Sequence, residues 1–247
     1  MPSWSRFWHQ LTHRRVRRAW GLAADGQDWA LVGLSSHNLL GVQVQVLEKI
    51  IPTGSDRTID GFGDGLRRVG VRWRDRVSVA LAEDEVMAGV LELPAQLPRD
   101  DWSSEVQLEV AQVLGLAPDQ VNFDFQADPV SEGLLTRVHW VGCEQSRIRA
   151  LRHAVRAAGG QLESVEPAWH AAHRAASHLK GGLESLITQA PQDWQFDLAV
   201  DHEQDQDQRQ PSGGAHGELD RVLTQALQSP AGPRLVASGL ALKAWLR

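Results

Sequence analysis

Between Val77 and Ala176 the spacing of apolar residues changes character repeatedly, and each change predicts an element. Apolar residues alternate from Val77 to Ala82 and again from Val86 to Leu93, as half-buried strands require. Glu83-Asp84-Glu85 between them is a polar turn, so the pair reads as a hairpin. Val106, Val110, Val113 and Leu114 then fall on one helical face, and Gly115 supplies a stop. Strands follow around Val121–Gln126 and Thr136–Cys143. Ile148, Leu151, Val155 and Ala158 form a second helical stripe, with Arg147, Arg149, Arg152 and Arg156 off it and Gly159-Gly160 ending it. A further strand leads to Pro167, which suits the first turn of a helix whose core face is mostly alanine.

The flanks are less regular. Residues 19–50 read as three strands: AWGLAA, WALVGLS after the tight turn Asp25-Gly26-Gln27-Asp28, and the alternating VQVQVLEKIIP. Ile59, Phe62, Leu66 and Val69 have helical spacing, although Gly61, Gly63 and Gly65 weaken that helix by roughly 1 kcal/mol each. Beyond Leu179 one strand, Phe196 to Val200, runs into a loop rich in acids and glutamine. Leu219, Val222, Leu223 and Leu227 predict a short helix near the end. At the start, Trp4, Phe7, Trp8 and Leu11 share a helical face beside Arg6, Arg14, Arg15, Arg17 and Arg18, with no acid among residues 1–18. Such a segment suits either a membrane interface or docking on the body of the protein.

Composition narrows the function. The 247 residues suffice for one large domain or two small ones with a real core. A net charge of −6 argues against a general nucleic-acid binder. One cysteine, Cys143, excludes an internal disulfide and a cysteine-rich zinc site, which fits a reducing cytoplasm. No apolar run approaches the roughly 20 residues that span a bilayer.

The order of these pieces resembles the PilM-type actin-like proteins of bacterial type IV pilus and competence machinery. The resemblance rests on Glu92-Leu93-Pro94, Asn122-Phe123-Asp124-Phe125, Ala157-Ala158-Gly159 and Val165-Glu166-Pro167, in that order. The end, Leu235 to Lys243, is similar to that family's closing helix, with lysine in place of arginine. The implied fold is α/β: a partial actin-like, ribonuclease-H-like fold with a small inserted α+β subdomain and most of the second half missing. On that frame residues 1–18 are a basic aromatic segment and 19–76 the first part of the actin-like subdomain. Residues 77–142 are the insert, 143–200 the return, 201–217 a flexible acidic loop, and 218–247 a helical segment packing back.

The family holds phosphate at its first hairpin, in a pattern close to Gly-x-Asp-x-Gly-Ser-x-x-x-Lys. Here Gly21 to Ala30 has Ala23 at the acid position and lacks the serine and the lysine. Asp25-Gly26 remains, but it is also common turn chemistry. The second phosphate loop would follow Asp201, where no cradling glycine appears. Other candidate chemistry is thin. His170 and His173 share a helical face near His178, without the third or fourth ligand a transition metal needs. Cys143 lies on one strand face with His139, beyond hydrogen-bond range. Asp201, Glu203, Asp205 and Asp207 lack the glycine and terminal glutamate of a calcium loop. The expectation is therefore no catalytic, cofactor or metal site.

The resemblance implies a non-catalytic cytoplasmic scaffold at the inner-membrane face, in pilus assembly or DNA uptake. Its partner would be the N-terminal peptide of a PilN-like inner-membrane protein, received in a groove between subdomains. Trp4, Phe7, Trp8 and Leu11 would add peripheral membrane contact. The alternatives are an actin-like ATP-binding protein of the same machinery, a type II secretion platform domain, and a peripheral membrane protein acting through residues 1–18. The secretion reading expects a transmembrane helix after the domain, and none precedes Arg247.

Overall fold

The structure, a computed structural model, describes residues 18–25, 28–37, 43–52, 59–73, 75–81, 83–128, 134–198 and 214–246. The chain divides into two units: residues 1–80 with 154–247, and residues 81–153.

Unit 1 is built on a five-stranded sheet of order β3-β2-β1-β4-β8. Its strands are β1 (Arg18–Asp25), β2 (Asp28–His37), β3 (Gln43–Pro52), β4 (Arg76–Leu81) and β8 (Gln161–Pro167). The first three form an antiparallel meander, in which Asp25 faces Asp28 across the first turn. β4 then lies parallel to β1. Central strands covered on both faces read as continuous apolar runs, which is why AWGLAA and RVSVAL show little polarity.

Helices cover both faces. On one lies α7 (Gly232–Leu246), packed with α4 (Ala168–His178) over Ala19, Ala23, Val32 and Leu34. On the other, Val71, Val77 and Val155 close around Gly160, bringing in α1 (Ile59–Val69) and the end of α3 (Gln145–Ala157). Gly63 of α1 approaches so closely that an added Cβ would lie 3.2 Å from the Ala154 carbonyl oxygen. Helices α5 (Gly182–Thr188) and α6 (Gly214–Gln228) complete the unit.

Unit 2 is a three-stranded antiparallel sheet of order β5-β7-β6 with one helix on it. The strands are β5 (Met87–Pro94), β6 (Val121–Ala127) and β7 (Leu135–Glu144), and the helix is α2 (Arg99–Leu114). Trp102, Val106, Val110 and Ala111 of α2 bury against Leu93, Val121, Val138 and Trp140. Gly115 ends α2 at φ 66°, where Leu116 N–H returns to the Ala111 carbonyl at 3.0 Å.

Five expectations are corrected. The hairpin of Val77–Ala82 with Val86–Leu93 does not form: β4 pairs with β1, and β5 with β7. Alternation fixes which face a residue occupies, not which strand lies alongside. For the same reason the insert, read as 77–142, is observed as the compact unit 81–153. Val113 is 43% exposed, and Trp102 and Ala111 take its place in the core. The strand expected at Phe196–Val200 is reduced, among described residues, to an isolated bridge between Leu179 and Phe196. Finally, α6 begins at Gly214, inside the segment 201–217 read as a loop, because Leu223 buries completely and the helix extends backward from it.

Candidate functional site

The hairpin of β1 and β2 is where the resembled family would bind phosphate, so its geometry decides the chemistry open to this chain. The β1 face that carries Gly21 and Ala23 is occupied by α7. A Cβ added at Gly21 would stand 1.9 Å from the Ala237 carbonyl oxygen and 2.5 Å from the Ala241 nitrogen. Gly21 therefore lets a helix backbone touch a strand backbone; it does not leave room for a ligand. Ala23, at the expected acid position, is 2% exposed within the same core. A carboxylate there would be buried among alanine and leucine, which costs several kcal/mol without a partner. Ala30, where the lysine of the pattern would stand, packs half-buried against that core. Gly26 and Gln27 lie outside the described residues.

Closing the core from the other side is a buried ion cluster. Glu166, at the end of β8, has a side chain only 6% exposed. Arg174 of α4 grips it with two parallel bonds, Nη1 to Oε1 at 2.5 Å and Nη2 to Oε2 at 3.0 Å. Lys243 of α7 donates to Oε2 at 2.6 Å. Arg174 also donates to the Gly239 carbonyl at 3.1 Å. Burial alone would push the Glu166 pKa up, but the bonds and charge of Arg174 and Lys243 outweigh it and hold the carboxyl below its ordinary value. One carboxylate thus ties strand, α4 and α7 together. Where α4 crosses α7, a Cβ on Gly239 would fall 1.8 Å from the Ala171 carbonyl oxygen.

The remaining candidates do not converge. His170 is exposed, His173 is half-buried, and the His178 ring holds the Arg174 carbonyl at 3.0 Å. Among the described residues no three His, Cys, Asp or Glu side chains gather around a common point. Cys143 is buried, and burial together with the charges of Glu85 and Glu144 raises its pKa to about 11. It stays a thiol at neutral pH and is a poor nucleophile. His139 instead meets Asp128 at 3.0 Å on the exposed side of β7. Asp201, Glu203, Asp205 and Asp207 lie outside the described residues, as do Trp4, Phe7, Trp8 and Leu11.

Sequence reasoning passed over Arg174 entirely, and it met Glu166 and Lys243 only as letters in two motifs. A usable signal was present. Each of the two cations is a lone charge in an apolar helical stretch, AAHRAAS and GLALKAWL, where only a buried partner makes a charge tolerable.

Two comparisons return nothing: no family model matches the chain, and no curated protein matches its sequence. Solved structures do match. One is the PilM-PilN type IV pilus biogenesis complex, at 20% identity and a TM-score of 0.50, covering 65% of this chain and 52% of that one. Another is the cytoplasmic domain of EpsL, an inner-membrane component of the Vibrio cholerae type II secretion system, at 15% identity and a TM-score of 0.44, covering 62% and 58%. The chain spans about half the length of the first of these. At that identity the likeness to the pilus protein is one of fold, and the fold is α/β and partially actin-like, with a small α+β unit inserted.

Proposed function

We propose that this chain is a non-catalytic scaffold of a type IV pilus or DNA-uptake machine, working at the cytoplasmic face of the inner membrane. Its partner on this reading is the N-terminal peptide of a PilN-like membrane protein, held by apolar anchors. The observation that carries the proposal is the seating of α7 on Gly21 and Ala23, two positions that align with the resembled family's phosphate pattern. The likeness in fold to a solved PilM-PilN complex supports the choice of machinery and of partner. On this reading membrane attachment comes through the partner and through Trp4, Phe7, Trp8 and Leu11; no described helix is long and apolar enough to cross a membrane.

The test is a titration of the full chain into a fluorescent peptide copying the N-terminal cytoplasmic segment of a PilN-type protein from the same cell. Saturable binding, abolished by scrambling the peptide, is expected. Absence of binding up to millimolar protein would sink the partner assignment.

A further inference from the structure

The first described residue, Arg18, reaches across unit 1 to one loop. Its guanidinium lies 3.5 Å from the Gly70 carbonyl oxygen and 4.0 Å from Asp75. That loop presents Trp73, whose surface is 79% exposed. In unit 1 the other exposed large apolar side chain among the described residues is Ile187, on α5.

The loop is pinned at its base. Val71 N–H bonds the Leu66 carbonyl at 3.1 Å, and Asp75 N–H bonds the Arg72 carbonyl at 3.0 Å. The buried Asp75 carboxylate accepts from Trp20 Nε1 at 3.0 Å and from the Arg72 N–H at 2.9 Å, while its carbonyl accepts from the Gln161 N–H at 2.8 Å. Trp73 is thus carried outward by a tied turn.

Arginines lie in this loop and at the helix ends that lead to it. Arg72 is the neighbour of Trp73, Arg68 is in the last turn of α1, and Arg156 is in the last turn of α3. The α3 end abuts the loop: a Cβ on Gly159 would be 3.6 Å from the Trp73 nitrogen. Arg68, Arg72 and Arg156 are exposed. The nearby acids are engaged elsewhere, Asp64 with Arg67 and Glu163 with Arg76.

We infer that exposed Trp73, with Arg72 beside it and Arg68 and Arg156 at the ends of α1 and α3, forms a docking surface for an anionic phospholipid bilayer. Tryptophan is favoured at the headgroup level, where its ring is apolar and its N–H stays wet. Arginine pairs with phosphate through two parallel bonds. A protein-binding hot spot would instead set the tryptophan within a packed apolar patch, whereas the one other exposed large apolar side chain described in unit 1 is Ile187, on α5. Residues 1–18 carry the same mixture of aromatic and basic side chains in sequence. The inference rests on the membrane-side part of the proposed function and not on the partner peptide.

The test uses the full chain with vesicles of neutral phosphatidylcholine or with added phosphatidylglycerol. A polarity-sensitive fluorophore on Trp73→Cys labels selectively, because Cys143 is buried with a raised pKa. Its emission is expected to shift blue with anionic vesicles and not with neutral ones. The triple variant Arg68→Gln/Arg72→Gln/Arg156→Gln is expected to bind about 100-fold more weakly, at about fivefold per cation. Circular dichroism confirms that it folds. Vesicle binding with no probe shift and no loss in the triple variant would place all membrane contact in residues 1–18 and overturn the inference, leaving the scaffold reading intact. Binding to soluble polyglutamate without vesicle binding would overturn it in favour of an acidic protein surface. If peptide binding fails while the probe still shifts, the partner assignment falls and this surface stands.

Discussion

Both sheets are faced by a helix, but the two interfaces are built from opposite kinds of side chain. In unit 2, α2 sets Trp102, Val106 and Val110 against Leu93, Val138 and Trp140, so large side chains fill the gap. In unit 1, α7 brings Ala237, Ala241 and Ala244 against Ala19 and Ala23, and two glycines let backbones touch. The first interface tolerates backbone distance and depends on volume. The second has no volume to spare and adds a buried ion cluster to fix the register of α7. The backbone contact of α7 with β1 leaves no room for a ligand beside Gly21.

The comparison predicts opposite responses to adding and removing atoms. The largest effect is expected at Gly239→Val. Its Cβ would meet the Ala171 carbonyl oxygen at 1.8 Å, which neither backbone can relieve without separating α4 from α7. A loss of about 3 kcal/mol or more in urea unfolding is expected. A variant as stable as the parent would show that α7 does not sit as described.

Next is Arg174→Met, which leaves Glu166 buried with one partner, Lys243. About 3 kcal/mol is expected from the same measurement. The sign with pH follows from Glu166. Its folded pKa lies below the ordinary 4.5. Its contribution is therefore complete above that value and disappears as pH falls through the lower, folded pKa. Arg174→Met should flatten this acid limb, and an unchanged limb would assign the acid sensitivity to other carboxylates.

Val106→Ala in unit 2 removes volume at a fully buried position and should cost about 2 kcal/mol. The complementary Gly142→Ala would push against Val110 Cγ1 at 2.4 Å, a side chain that can turn aside. It should cost less than Gly239→Val by about 2 kcal/mol. Equal costs would erase the distinction between the interfaces. The smallest effect is kinetic. Cys143 should resist thiol reagents at pH 8 until unit 2 opens, and immediate labelling would contradict its burial.

What the sequence showed follows the same division. Val106 and Val110, and likewise Ile148, Leu151 and Val155, announce their faces because large aliphatic residues at helical spacing have one place to go. The meander of β1, β2 and β3 was readable from its alternation and its turn. The strand neighbours of β4 and β5 were not, since pairing depends on residues far away in the chain. In α7, apolar residues surround the axis and carry no face, so only its resemblance to a closing helix marked it. The role of Gly21 was hidden most deeply. A glycine needed for a helix to approach and a glycine needed for phosphate to approach look the same in one dimension. Ala23 was the better informant, because it puts a methyl group where the resembled pattern has a carboxylate, whatever the packing.

The measurement that bears most directly on the account is calorimetric titration of the full chain with magnesium–ATP. With α7 seated on Gly21 and Ala23, no saturable heat up to millimolar nucleotide is predicted. Saturable binding, weakened by Asp25→Asn and by magnesium removal, would mean that the hairpin still holds phosphate and that this chain is an ATP-binding member of its fold.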